Sequence, residues 1–176
     1  PYNTHQHHTT RPTKTPKICI SLNRHKFIGS SVHWCLIFII YLLKYDSIYG
    51  PLDADITKTE NGISVNNKET TFNNWKDAED SNWESIDTDI VVLATGKQQG
   101  SEEAQKHLEK GAKKIIIAST PKDKEEIDIF VPGANDEDID FSKSIISLGS
   151  NTANASAPII KLINEKVGVE RVFINT

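Results

Sequence analysis

Methionine is absent from the 176 residues, which begin at Pro1. A chain with no initiator of its own is expected to be a processed product or a fragment. Cysteine is almost as scarce. Cys19 and Cys35 are too few for the disulfide framework of a small secreted domain, so a reducing, cytoplasmic setting is expected. A long hydrophobic run is missing too: the apolar stretch from Trp34 to Leu43 is half of the roughly 20 residues that a membrane-spanning helix needs. Extending it back to Phe27 takes in Gly29, Ser30, Ser31 and His33. The preceding basic residues, Arg11 to Lys26, lie too far along the chain for an ordinary signal peptide. No membrane role is expected. Positive charge is not in surplus either. With 20 Lys and Arg against 24 Asp and Glu, the net charge of -4 disfavours a nucleic-acid partner, which requires a basic face.

What is present is the composition of a globular protein, 37% hydrophobic and 25% charged. Residues 1–16 are polar, contain proline and show no hydrophobic period, and so read as a disordered tail. His5, His7 and His8 lie there without a carboxylate or thiol nearby to complete a metal site, so no metal is expected. The short run KICI (17–20) reads as a buried strand. The stretch from Ser21 to Asp46 fits either a strand or a buried helix, because its apolar run has no decisive period. Beyond it, residues 54–72 alternate apolar and polar around Asn61-Gly62, with Asn66-Asn67 as a second turn. That pattern predicts a small antiparallel meander.

The segment from Ile86 to Ala118 is more regular. DIVVLATG (89–96) reads as a buried strand. Ser101 caps a helix whose first turn holds Glu102 and Glu103 and whose end is marked by Gly111, and KKIIIA (113–118) is a second buried strand. Strand, helix and strand in about 30 residues make one parallel unit. The runs IDIFV (127–131) and SIIS (144–147) are expected to continue the sheet. GSNTANASAP (149–158) then leads into a helix over 159–168, with Ile159, Ile160 and Ile163 on one face and Gly168 as its stop. A last strand is expected in ERVFINT (170–176). His107 reads as an exposed helix residue.

Several segments, in order, carry a resemblance. LLKYDSIYG (42–50), DIVVLATG, EEAQKHLEKGAKKIIIA (102–118), Gly133-Ala134-Asn135 and GSNTANASAP resemble, with matching order and spacing, the glyceraldehyde-3-phosphate dehydrogenase family from about Tyr41 to Thr176. The resemblance implies an α/β fold: a Rossmann-like parallel sheet whose first βαβ unit is degenerate, with the small antiparallel meander attached. It implies a domain over 17–168, degenerate before 41, and the start of a truncated catalytic domain at 169–176. It also implies NAD as cofactor, a small-molecule aldehyde as substrate, and a homo-oligomeric habit whose contacts come largely from a second domain that this chain mostly lacks.

Residue by residue, the family's nucleophilic cysteine falls on Asn151. The flanking phosphate-contacting positions fall on Ser150 and Thr152, and the loop-supporting Asn on Asn154. Helix capping explains the same Ser, Thr and Asn pattern without a ligand. Thr95, Gly96 and Ala118 fall on positions bordering the nicotinamide. The family's histidine base would lie just past Thr176. Cys19 and Leu22 occupy glycine positions of the dinucleotide fingerprint, and the gap to the next recognisable segment is too short for the family's second strand. The expected function is therefore an NAD-dependent glyceraldehyde-3-phosphate dehydrogenase relative that is inactive as this chain. The alternative is a non-catalytic binding or structural subunit on the same fold. Residues 1 to about 40 are also open to being foreign sequence joined to a true exon. Asn154-Ala155-Ser156 fits a glycosylation triplet, read as chance.

Overall fold

The computed structural model describes residues 18–21, 32–73, 75 and 77–176. The expected tail, its histidines, Leu22 and Gly29 lie outside the described residues. The chain divides into two compact units, one within 23–80 and the other containing residues 18–21 and 81–176.

The first unit opens with helix α1, Val32–Lys44, which settles the ambiguous run as helix. Among the described residues no helix is long and apolar enough to cross a membrane. A short hairpin follows, pairing β2 (Tyr45–Asp46) with β3 (Gly50–Pro51). The Asp46 carboxylate closes its loop by accepting from the backbone N–H groups of Ile48 and Tyr49, each at 2.7 Å. Those bonds hold its carboxyl below the usual aspartate range.

The meander is β4 (Ile56–Lys58), β5 (Gly62–Val65) and β6 (Lys68–Thr71), antiparallel throughout, and α1 packs on β4 and β5. Asn66 and Asn67, at φ 48° and 65°, form the two-residue turn between β5 and β6, as the sequence indicated. Asn61-Gly62 behaves differently. Neither residue has a positive φ, and Gly62 is the first residue of β5. A Cβ on Gly62 would lie 1.9 Å from the Thr70 carbonyl oxygen, so close approach of β6 requires this glycine.

In the second unit, β1 (Ile18–Ser21), β7 (Ile90–Leu93), β8 (Lys114–Ile117) and β9 (Ile145–Ser147) form one parallel sheet in the order β1-β7-β8-β9. The fold is thus α/β with a Rossmann-type parallel sheet and small antiparallel sheets. Alternation along the strands builds the core. Val91, Leu93, Ile115 and Ile117 are buried on one face, and Ile90, Val92 and Ile116 are half-buried on the other. Helix α2, Ser101–Glu109, packs on β8 and contributes the fully buried Ala104.

KICI reads as a buried strand, but β1 is the last strand on its side of the sheet among the described residues, and Ile18 and Ile20 are 58% and 61% exposed. Four further expectations need correction. Gly100, not Ser101, is the N-cap of α2. The Gly100 N–H is taken by Glu103 Oε2 at 2.9 Å, while Ser101, one residue into the helix, binds Asp123 through its N–H and hydroxyl. Residues 127–131 form no strand of their own and make only a single parallel bridge, Ile129 to Ser147. Isoleucine and valine favour extended chain, but Pro132 and the bend at Gly133, φ 77°, leave no length for a ladder.

The third concerns helix α3, Asn151–Val167, which starts eight residues earlier than the apolar period suggested and runs through Pro158. Its first turns carry small polar residues that give no hydrophobic signal. Ile159 and Ile163 are 59% and 45% exposed, so the apolar face is not in the core of this chain. Last, residues 170–176 are irregular and not a strand.

Candidate functional site at the carboxyl edge of the sheet

Register fixes where the candidate residues meet. Leu93 of β7 aligns with Ile117 of β8, and Ile117 with Ser147 of β9, so three strands end level. The ladder continues one residue further, with Ala118 N–H to Leu93 O at 3.1 Å and Leu148 N–H to Ile117 O at 3.0 Å. Thr95 and Gly96, Ala118, and Ser150 to Thr152 therefore all leave one edge of the sheet. In parallel α/β sheets the carboxyl edge is where ligands bind, because loops and helix N-termini converge there. The structure thus gathers residues that lie as far as 57 positions apart, from Thr95 to Thr152.

Local chemistry holds each loop. The Thr95 hydroxyl accepts from Gln99 Nε2 at 2.8 Å, which commits it within its own loop. Gly96 has φ 72°, and a Cβ there would meet nothing within 4 Å, leaving open space beside the backbone. Ala118 is exposed. Ser150 is the N-cap of α3: its Oγ accepts from Ala153 N–H at 3.0 Å. Asn154 Nδ2 donates to the carbonyls of Leu148 and Ser150, at 2.7 and 2.9 Å, and these bonds explain the residue better than a glycosylation triplet does. Asn151 is exposed, with its side-chain oxygen 3.0 Å from the Thr152 N–H. Thr152 is half-buried, and its carbonyl accepts from the Ser156 hydroxyl at 2.8 Å.

One residue of this edge gave no signal in the sequence. Ser147, fully buried, donates its hydroxyl to Ser119 O at 2.7 Å and accepts from Gly149 N–H at 3.0 Å. It ties the loop after β8 to the loop after β9. A serine inside an apolar run looks like a weak strand residue, and nothing local marks it as a crosslink.

The two helix N-termini at this end of the unit differ in charge. The first turn of α2 holds Glu102 and Glu103, whereas that of α3 holds no acid. Glu103 pairs with Lys122, which together with the Gly100 N–H keeps its carboxyl below the usual glutamate range. Of the two, only the start of α3 therefore offers an uncompensated positive dipole end. Between α3 and residues 172–176 runs an open groove of about 570 Å³, bordered by Asn151, Thr152, Ser156, Ile159 and Ile174.

Other candidates lie elsewhere. Cys19 is in the middle of β1, with Sγ 3.4 Å from Thr88 Oγ1, before the strand's carboxyl end. Leu22 and the segment that would carry the diphosphate loop lie outside the described residues. His107 is buried, 7% exposed, contrary to its reading as an exposed helix residue. Its ring fills the space between α2 and Trp83, and helical periodicity alone could not show that contact. Among the described residues no group of three or more His, Cys, Asp or Glu side chains is arranged to hold a metal ion.

Comparison with known proteins gives a consistent account. Residues 35–101 match the model of the family described as glyceraldehyde 3-phosphate dehydrogenase, NAD binding domain. Over 139 residues the chain is 42% identical to the glyceraldehyde-3-phosphate dehydrogenase of Geobacillus stearothermophilus, a match covering 78% of this chain and 41% of that protein. It is 37% identical to glyceraldehyde-3-phosphate dehydrogenase 2 of Bacillus subtilis, across 78% and 40% of the two chains. Against the chloroplastic glyceraldehyde-3-phosphate dehydrogenase of Chondrus crispus the identity is 39%, across 77% and 33%. The chain spans about two fifths, or less, of the length of these curated relatives.

Proposed function

From the chain's place in the glyceraldehyde-3-phosphate dehydrogenase family, to which its NAD-binding part belongs, we propose that this polypeptide keeps the scaffold of that oxidoreductase but does not turn over aldehyde. The observation that carries the proposal is Asn151. It stands at the first position of α3, at the sheet edge where the relatives' nucleophile falls by resemblance. Covalent aldehyde oxidation begins with a thiolate adding to the carbonyl carbon, and a carboxamide nitrogen is not nucleophilic near neutral pH. The amide of Asn151 instead closes a local contact with Thr152. Neither cysteine falls at the nucleophile position of the resemblance: Cys19 lies in β1 beside Thr88 and Cys35 in α1, both more than a hundred residues before Asn151.

NAD, where bound, serves this family as hydride acceptor. Part of the edge fits it: the open space at Gly96 and the small exposed Ala118 leave room for a flat ring across the strand ends. The fingerprint does not fit. Leu22 falls by resemblance on a glycine position, where a side chain would crowd a diphosphate. Weak or absent NAD binding follows, and no hydride step is assigned to this chain. An anion site at the start of α3, with Ser150 and Thr152 beside it, is compatible with the acid-free first turn, although the Thr152 and Ala153 N–H groups already have side-chain acceptors in Asn151 and Ser150.

The domain plan of this proposal keeps a tail over 1–16, a Rossmann-like NAD-binding domain over 17–168 that is degenerate before 41, and the start of a truncated catalytic domain at 169–176, in a cytoplasmic protein. A small-molecule aldehyde partner is carried over from the resemblance, and so is a homo-oligomeric habit, whose contacts come largely from the second domain that this chain mostly lacks. A second function, as a non-catalytic subunit, is favoured by one observation: α3 presents exposed Ile159, Leu162, Ile163 and Val167 at helical spacing.

Calorimetric titration of NAD into the purified chain tests the reading. The expected result is no saturable heat at micromolar cofactor, together with no NADH production from glyceraldehyde 3-phosphate, phosphate and NAD. Turnover that survives alkylation of both cysteines would refute the assignment of Asn151.

A further inference from the structure

His107 has no part in the proposed chemistry, yet it is a buried titratable group in a specific contact. Trp83 Nε1 donates to His107 Nδ1 at 3.0 Å, and the ring centroids are 5.7 Å apart. The indole nitrogen can only donate, so Nδ1 must be unprotonated and the imidazole proton must sit on Nε2. Trp83 is itself 5% exposed. Its backbone N–H and that of Glu84 both donate to Lys110 O, at 2.9 and 3.2 Å, and Ala112 N–H donates to His107 O at 3.2 Å. Trp83 and Glu84 are thus fastened to the carboxyl end of α2 by the indole bond to His107 and two backbone bonds to Lys110 O. Their segment leads into β7, and its Thr88 touches Cys19 of β1.

We propose that the His107–Trp83 pair is a proton-operated latch, closed while the imidazole is neutral and opened when a proton on Nδ1 removes the acceptor. Protonation would set two N–H donors against each other inside an apolar contact and place a cation where neighbouring charges give it no counterion. Those neighbours are accounted for. On the face of α2 that carries His107, Glu103 is paired with Lys122, and Lys110 adds only positive charge. On the 81–89 segment, Asp87 and Asp89 are both within reach of Lys113, and Glu84 is exposed. On β8, Lys114 Nζ is held by the carbonyls of Phe141 and Lys143. Burial lowers the proton affinity of His107 below its usual 6.5, with no charged partner opposing it. The folded chain is therefore the weaker proton binder. Stability attributable to His107 is full above about pH 6.5 and declines as the pH falls below it, levelling off under the folded value.

The test follows the indole N–H resonance of Trp83 in the intact 176-residue chain between pH 8 and 5, assigned by its loss in Trp83→Phe, with urea unfolding measured at each pH. The expected result is a shift of that resonance with a midpoint below 6.5, together with a fall in the urea midpoint. In His107→Gln, whose amide oxygen can accept from the indole without titrating, both responses should be lost. An indole resonance of the wild-type chain unmoved to pH 5 would overturn the latch even if the variant failed to fold, and so would the same pH response in His107→Gln.

Discussion

Two glycines with left-handed backbones offer a test of the packing argument, because they share strain and differ in surroundings. Gly96 has φ 72°, and a Cβ added there would meet nothing within 4 Å, whereas Gly111 has φ 96° and its Cβ would stand 2.5 Å from Glu84 Cβ and 2.7 Å from Glu84 N. Alanine at either site incurs the left-handed penalty, about 1–2 kcal/mol. At Gly111 it must also push the backbone of Glu84 away. The N–H groups of Trp83 and Glu84 then lose their shared acceptor, Lys110 O, at about 1 kcal/mol each. The totals are about 1–2 kcal/mol for Gly96→Ala and about 3–4 kcal/mol for Gly111→Ala. In a chain of this size they correspond to melting shifts of roughly 5 °C and 10 °C. Urea unfolding followed by far-UV circular dichroism and by tryptophan emission measures both. If the two variants came within about 0.5 kcal/mol of each other, the contact between Gly111 and Glu84 would not be a determinant of the fold.

Two further outcomes follow from the sheet edge and its neighbour. Asn151→Cys places a thiol on the first residue of α3, where the helix dipole favours thiolate, so peptide-resolved alkylation should label it faster than Cys19 at neutral pH, while dehydrogenase turnover stays at background. Equal labelling rates would mean that the start of α3 carries no useful positive potential. Glu103, held below its usual 4.5 first by Lys122 and then by its own backbone N–H and that of Gly100, contributes stability that is present above about pH 4.5 and lost as the pH falls through its lower folded value. Glu103→Gln should flatten the stability profile across that acid window, and an unchanged slope would count against the capping role of the carboxylate.

How much was legible in the sequence depended on how locally each feature was encoded. The short continuous apolar runs in DIVVLATG and KKIIIA, the stop at Gly111 and the paired asparagines at 66–67 are decided by nearest neighbours, and β7, β8, α2 and the β5–β6 turn stand where those signals put them. The start of α3 was missed because its first turns are Asn, Thr, Ala and Ser, which cap and continue a helix without any hydrophobic period. Residues 127–131 have strand composition but lack a level partner beyond Ser147. His107 and Ser147 were hidden for a different reason. The importance of each comes from a contact distant in sequence, with Trp83 in one case and Ser119 in the other, and no pattern within a window of residues reports it.

The site residues divide in an instructive way once their hydrogen bonds are assigned. Ser150 caps α3, Asn154 clamps the two carbonyls before it, and Ser147 ties two loops, so each is required by the fold whether or not a ligand ever binds. Their match to the family is therefore weak support for surviving chemistry. Asn151 is the opposite case: exposed, at the first helical position, bonded only to its neighbour's N–H, it could be exchanged for many residues without disturbing a packed contact. Under the proposed reading, in which the relatives' nucleophile falls at this position, the fold makes so small a demand on it that nothing but the reaction would hold a cysteine there. Thr152 decides between an anion site and bare scaffold, since no hydrogen bond of its side chain caps the helix. If Thr152→Val left stability unchanged yet abolished binding of inorganic phosphate, a ligand role would survive the loss of the nucleophile. If phosphate never bound the parent chain, Ser150 and Asn154 would be explained by capping alone.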